Sequence, residues 1–276
     1  MKTYCFIHYY GSIDSRSIFS EIIQTLLRNK LLDQISELHL VITGDDKFGP
    51  SIKDLLLLRR ILILHQPDKS STLCGELQTL AIISRITQDM NEVNACLYLH
   101  TKGASGDNII QQAWRKYMLD FNVGCWENAL HKLNSYHLFG VNWSYSNFAF
   151  DTTFPWPKSR LYGHFMGNFW WARSDYLSGL PTPSLEWSSR YTAEAWAGLN
   201  EPRIFNAMRS TNASPEQPFK HHQYKQFLNA LRRPTVSIEI PVDQITTIQP
   251  SLIGHNPTAD QYRYDPNWDY ILDRQG

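Results

Sequence analysis

A charge imbalance is what this chain lacks most plainly: 26 basic residues face 26 acidic ones, for a formal net charge of zero. With no basic block either, nucleic acid is not an expected partner and an electrostatic membrane anchor has little to work with. Peripheral contact with a membrane by other means stays open. Long hydrophobic runs are also missing. The most apolar stretch, residues 55–64, is interrupted by Arg59 and Arg60 and is too short to span a bilayer. No signal peptide precedes the first strand-like run, so the expectation is a soluble, cytoplasmic protein.

Cysteine is sparse. Cys5, Cys74, Cys96 and Cys125 form no CxxC pair, which argues against a zinc site and for reduced thiols. Cys5 and Cys96 sit in apolar runs, where a thiol behaves as a small hydrophobe. Two nucleotide signatures are absent as well. No GxGxxG follows the first strand and no GxxxxGK[ST] occurs, so a nucleotide would need another cradle.

What the chain does have is aromatics: nine Trp, fourteen Tyr and thirteen Phe, which suit both a large core and a sugar or base platform. It also has a clear alternation. Apolar runs at 3–10, 38–43, 61–64 and 95–99 read as strands. Between them, Ile18, Phe19, Ile22, Ile23, Leu26 and Leu27 recur at helical spacing, and 73–90 reads as a second helix. Strand–helix alternation of this kind predicts an α/β fold with a mostly parallel, doubly wound sheet. Ligands in such folds sit outside the carboxyl ends of the strands. Those ends carry His8-Tyr9-Tyr10, Asp45-Asp46, His65-Gln66 and His100-Thr101-Lys102.

The second half is less regular. Residues 108–136 read as one long helical region with Asp107 as its cap, 137–143 as a strand, and 144–162, with Pro155 and Pro157, as a long loop. The core of 163–176 reads as a strand, so Trp170 and Trp171 point to opposite faces, one inward and the other toward a crevice. Residues 190–199 form a short helix whose packing side is Ala193, Trp196 and Ala197. Glu194 then faces either a cleft or solvent. From 211 the chain turns polar and proline-spotted, with a helical patch at 221–232 and an aromatic end at 260–270.

Four segments together resemble a family. YLHTKG (98–103), WR-x-YM (114–118), HF-x-GNFWWA followed by SDYL (164–177) and RY-x-AE-x-W (190–196) resemble bacterial and viral glycosyltransferases of polysaccharide synthesis. The rhamnan-synthesis transferases carry a related His-x-Lys turn, and an ExxTL motif stands at 76–80. The resemblance runs from roughly residue 2 to 200. It implies a Rossmann-like GT-A fold, with residues 1–210 as the nucleotide-sugar-binding and catalytic domain and 211–276 as an extension packed on it. It also implies a nucleotide-sugar donor and a glycan acceptor as partners. Many GT-A enzymes hold the donor diphosphate through a divalent metal on an Asp-x-Asp turn after the fourth strand. Here His100-Thr101-Lys102 stands at that place, so the need for a metal stays open and no metal ligand is assigned.

Charge that develops on a departing diphosphate could be met by Lys102 with His100. With them, His8, Tyr9, Asp45, Asp46 and Thr101 are candidates for binding the donor. An inverting transfer needs a base for the acceptor hydroxyl. Glu194 is the first candidate, followed by His164 and Asp175. Asn168 and Trp170, by amide hydrogen bonds and ring stacking, and Arg190 and Tyr191 are candidates for binding sugar or acceptor. Two other readings remain: a non-catalytic glycan- or nucleotide-binding module, and a glycoside hydrolase, for which Glu194 has no persuasive second carboxylate.

Overall fold

The computed structural model describes residues 1–65, 73, 75–106, 108–184, 187 and 189–208. The extension expected over 211–276, with its helical patch and aromatic end, lies outside the described residues, as do Cys74 and the cap expected at Asp107. In chain order the elements are β1 (Thr3–Gly11), α1 (Ser15–Arg28), β2 (Ile35–Gly44), α2 (Ile52–Leu58), β3 (Leu62–His65), α3 (Glu76–Gln88), β4 (Ala95–His100) and α4 (Ile109–Asn122). There follow α5 (Trp126–Lys132), β5 (Leu138–Gly140), β6 (Trp143–Ser146), β7 (Tyr162–Phe165), β8 (Trp170–Arg173), α6 (Ser174–Ser178), α7 (Arg190–Trp196) and β9 (Ile204–Asn206).

The main sheet has seven strands in the order β3-β2-β1-β4-β8-β5-β9. The first four are parallel. β8 runs antiparallel to both β4 and β5, and β9 is parallel to β5, so β8 alone is reversed. The protein is therefore α/β with a mostly parallel sheet flanked by helices, as the alternation predicts. Among the described residues no helix is long and apolar enough to cross a membrane.

Strand periodicity divides the interior in two. Cys5, Ile7 and Tyr9 of β1, Leu97 and Leu99 of β4 and Trp171 of β8 face one core, which α1 covers with Ile18, Phe19, Ile22, Ile23 and Leu26. Phe6, Cys96, Tyr98 and Trp170 face the other, covered from α3 by Leu77, Leu80 and Ile83 and from α7 by Ala193, Ala195 and Trp196. Both tryptophans are thus buried, on opposite faces as expected, but neither ring lies open to a crevice.

Two other expectations change. The region 108–136 is two helices, because the Val123 and Gly124 amides both turn back to the Leu119 carbonyl, at 2.8 and 3.0 Å, and end α4 there. Asn108 caps its start, its side chain accepting from the amides of Ile110 and Gln111. The strand expected over 137–143 is shorter, and Trp143 instead begins β6, which pairs with β7 in a separate two-stranded sheet that brackets the long loop. Helix α7 sits hard against β7. A Cβ at Gly198, just past its end, would lie 1.8 Å from the Gly163 carbonyl oxygen, so only glycine fits there.

Candidate active site

Parallel pairing places His8 of β1 directly beside His100 of β4, at the carboxyl edge and on the side covered by α3 and α7. Three more elements reach this point. α3 begins with Glu76, the turn before β8 supplies Gly167 and Asn168, and α7 supplies Glu194.

Glu76 is the hub. Its Oε2 accepts from the Tyr98 hydroxyl at 2.8 Å and from Asn168 Nδ2 at 2.7 Å, and its Oε1 lies 3.7 Å from His100 Nδ1. Burial works to raise this carboxyl, but His100, His8 and the two hydrogen bonds outweigh it, so Glu76 is held below the usual range and stays anionic. Asn168 in turn accepts from Trp170 Nε1 at 2.9 Å. It adopts φ +57°, a left-handed conformation that asparagine tolerates better than most residues.

Burial lowers the pKa of both histidines. His100 Nε2 lies 2.9 Å from the Gly167 carbonyl, which can only accept, so the proton sits on Nε2. Burial lowers its pKa, with Glu76 opposing and Lys102 assisting. His8 is lowered to about 4, chiefly by burial, and its ring nitrogens meet the hydroxyls of Thr79 at 2.9 Å and Thr43 at 3.3 Å.

Lys102 is half-buried, its ammonium 5.5 Å from the centre of the Trp114 ring. Its carbonyl accepts from Arg115 Nη1 at 2.8 Å, while Arg115 Nε donates to Glu21 at 2.8 Å. Arg115 is only 2% exposed, so a buried guanidinium fixes the turn that carries Lys102. A cleft of about 640 Å³ opens behind this pair, lined by Ser17, Glu21, Gln112 and Lys116. Arg115 is what it shares with the cluster.

Glu194 of α7 is half-buried. Burial raises its pKa; Lys102 and Arg190 oppose this and Glu76 adds to it. Among the described residues no donor hydrogen-bonds to its carboxylate. A desolvated, unengaged carboxylate near a fixed ammonium is able to accept a proton from a bound hydroxyl.

The other candidates fall elsewhere. Arg190 and Tyr191 lie at the exposed start of α7, the guanidinium 4.7 Å over the Tyr191 ring. Thr101 is buried and stitches β4 to β1, its hydroxyl accepting from the Tyr10 amide at 2.9 Å. Tyr9 points into the opposite core, its hydroxyl donating to the Phe48 carbonyl and its ring edge-on to Phe19. Asp45 and Asp46 share the carboxyl edge but are exposed, and Asp45 is engaged by Lys47 at 3.0 Å. His164 is buried in β7 against Phe148, lowered to about 4 by burial. Asp175 sits at the opposite edge, beyond the β8 residue that pairs with Ala95, and is held by Arg173 at 2.6 and 2.9 Å. Trp170 is corrected from a stacking platform to a support: its ring packs on Tyr98 at 5.0 Å, with no face left for a sugar. Among the described residues no three His, Cys, Asp or Glu side chains converge as a metal-ligand set.

Sequence reasoning left Glu76 and Arg115 without a role. Both stand inside quoted motifs. The available signals were an acid opening a helix at the sheet's carboxyl edge, and an arginine within an apolar helical stripe.

Fold and site together define an α/β protein with a partly buried cluster of charged and polar side chains at the carboxyl edge of its parallel strands. Compared with known proteins, the chain matches no family model and no curated sequence.

Proposed function

We propose that this protein is a glycosyltransferase with a GT-A-like catalytic domain over residues 1–210, moving a sugar from a nucleotide-sugar donor to a glycan or polysaccharide acceptor. The observation that carries the reading is Glu194: half-buried, raised in pKa, and within electrostatic reach of both Lys102 and Glu76. In an inverting transfer the acceptor oxygen bonds to the anomeric carbon as the bond to the diphosphate breaks. Glu194 takes the acceptor's proton, and Lys102 meets the charge that develops on the departing diphosphate. Glu76, Asn168 and Trp170 form the scaffold that holds this geometry, and Arg190 and Tyr191, at the start of the helix that carries Glu194, are the residues proposed to meet the acceptor. The proposed transfer uses Lys102 where an Asp-x-Asp enzyme uses a divalent metal, and metal dependence is a property to be measured.

A thermal-shift screen against UDP-, GDP-, CMP- and dTDP-sugars finds the donor, because a ligand that binds only the folded state raises Tm. With that donor, Glu194→Gln is expected to lower turnover by about 100-fold or more while the donor-induced Tm shift persists. Full turnover in this variant would remove Glu194 as the base. A donor that binds without turnover in the wild type, with any glycan acceptor, would make the protein a binding module instead.

A further inference from the structure

Helix α2 presents its surroundings with an unusual face. Asp54, Leu55 and Leu58 turn toward the protein, Asp54 and Leu58 being fully buried. The opposite side carries Ile52, Lys53, Leu56 and Leu57, and Arg60 lies on the same side one turn on. Ile52 is 76% exposed and Leu56 58%. Surface helices ordinarily turn polar residues outward, so large aliphatic side chains here need a reason. On β3, the outermost strand of the sheet, Leu64 is also exposed, on the same face of the sheet as α2, while Ile63 points to the other face.

The charges are sorted as well. Over residues 51–65 the basic groups Lys53, Arg59 and Arg60 are exposed, whereas the only acid, Asp54, is withdrawn into hydrogen bonds with the Ser51 and Ser20 hydroxyls at 2.6 and 3.3 Å. Neither Arg59 nor Arg60 forms an ion pair among the described residues. Aliphatic side chains flanked by long cations suit the boundary of an anionic bilayer: the aliphatics enter the acyl region while the lysine and arginine heads stay among the headgroups. A neutral protein needs such local sorting, because its net charge supplies no attraction.

We propose that α2 and the β3 edge form a docking surface for an anionic phospholipid bilayer, through Ile52, Leu56 and Leu57 with Lys53, Arg59 and Arg60. The surface lies away from Glu194 and Lys102 and does not depend on the chemistry proposed for them.

The test is co-sedimentation of the full-length chain with vesicles of phosphatidylcholine, with and without phosphatidylglycerol. The protein is expected to pellet with the phosphatidylglycerol vesicles at low salt and to be released at high salt. Leu56→Ser with Leu57→Ser should abolish pelleting with an unchanged Tm, since both side chains are already exposed. Lys53→Gln with Arg60→Gln should weaken partitioning by about fivefold per charge removed. Wild-type protein that stays in the supernatant at low salt, or variants that pellet as it does, would overturn the proposal. Loss of a concentration-dependent dimer in the leucine variant, without vesicle binding by the wild type, would assign the surface to a second copy of the chain instead.

Discussion

At the scale of single residues, the site pairs two carboxylates. Burial raises the pKa of Glu194 and Glu76 adds to it, while Glu76 is itself held low by its two histidine neighbours, Tyr98 and Asn168. Replacing Glu76 with Gln removes a negative charge near Glu194, so the Glu194 pKa should fall. The acid limb of a kcat/KM–pH profile should then move to lower pH; an unmoved limb would mean that the two groups are uncoupled or that another base is at work. The same substitution disturbs the hydrogen bonds from Tyr98 and Asn168, with an expected cost of about 1–3 kcal/mol in urea unfolding. The sequence could place Glu194 on a helix but not choose between cleft and solvent, because periodicity gives the buried face and says nothing of what stands opposite. That Lys102 stands across from it is a fact of tertiary packing. Glu76 was hidden for a similar reason: only the Asn168 turn, 92 positions away, gives it a purpose.

At the scale of elements, the runs that became β1, β2 and β4 were legible because strands buried on both faces leave little choice of residue. The split between α4 and α5 was not, since apolar spacing continues on either side of Gly124. The small β6–β7 sheet was hidden too, because a long proline-bearing loop separates its strands. Two connections carry the site, and each can be tested. Gly167 adopts φ +87°, and a Cβ there would lie 2.5 Å from Met118 Sδ and 2.8 Å from Trp114 Nε1. Gly167→Ala should therefore destabilise the protein by at least about 1 kcal/mol and lower turnover, because the strained turn positions both the His100 partner and Asn168. Arg115→Met removes the bond to the Lys102 carbonyl while keeping apolar bulk. Its signature should be a raised KM for the donor with a smaller change in kcat; an unaltered donor KM would show that the Lys102 turn holds itself.

For the whole molecule, the histidines decide the response to acid. His8, His39 and His164 are each lowered to about 4, chiefly by burial, against about 6.5 in an unfolded chain. Between those values the unfolded chain binds more protons. Stability is therefore complete above about pH 6.5 and is lost as pH falls toward 4, at up to about 1.4 kcal/mol per pH unit for each group. A Tm that falls steeply from pH 6.5 to 4 is expected, and a flat Tm over that window would show that these rings are hydrated.

The reversal of β8 has a consequence for how this architecture tolerates change. A strand that ran with its neighbours would deliver its last residues to the rim that carries His8 and His100; this one delivers its first, so the short β7–β8 link is locked in length while the stretch after α6 exits on the far side. Insertions in that outgoing stretch, ahead of α7, should leave the chemistry intact, whereas a single residue added between Phe165 and Trp170 should silence it.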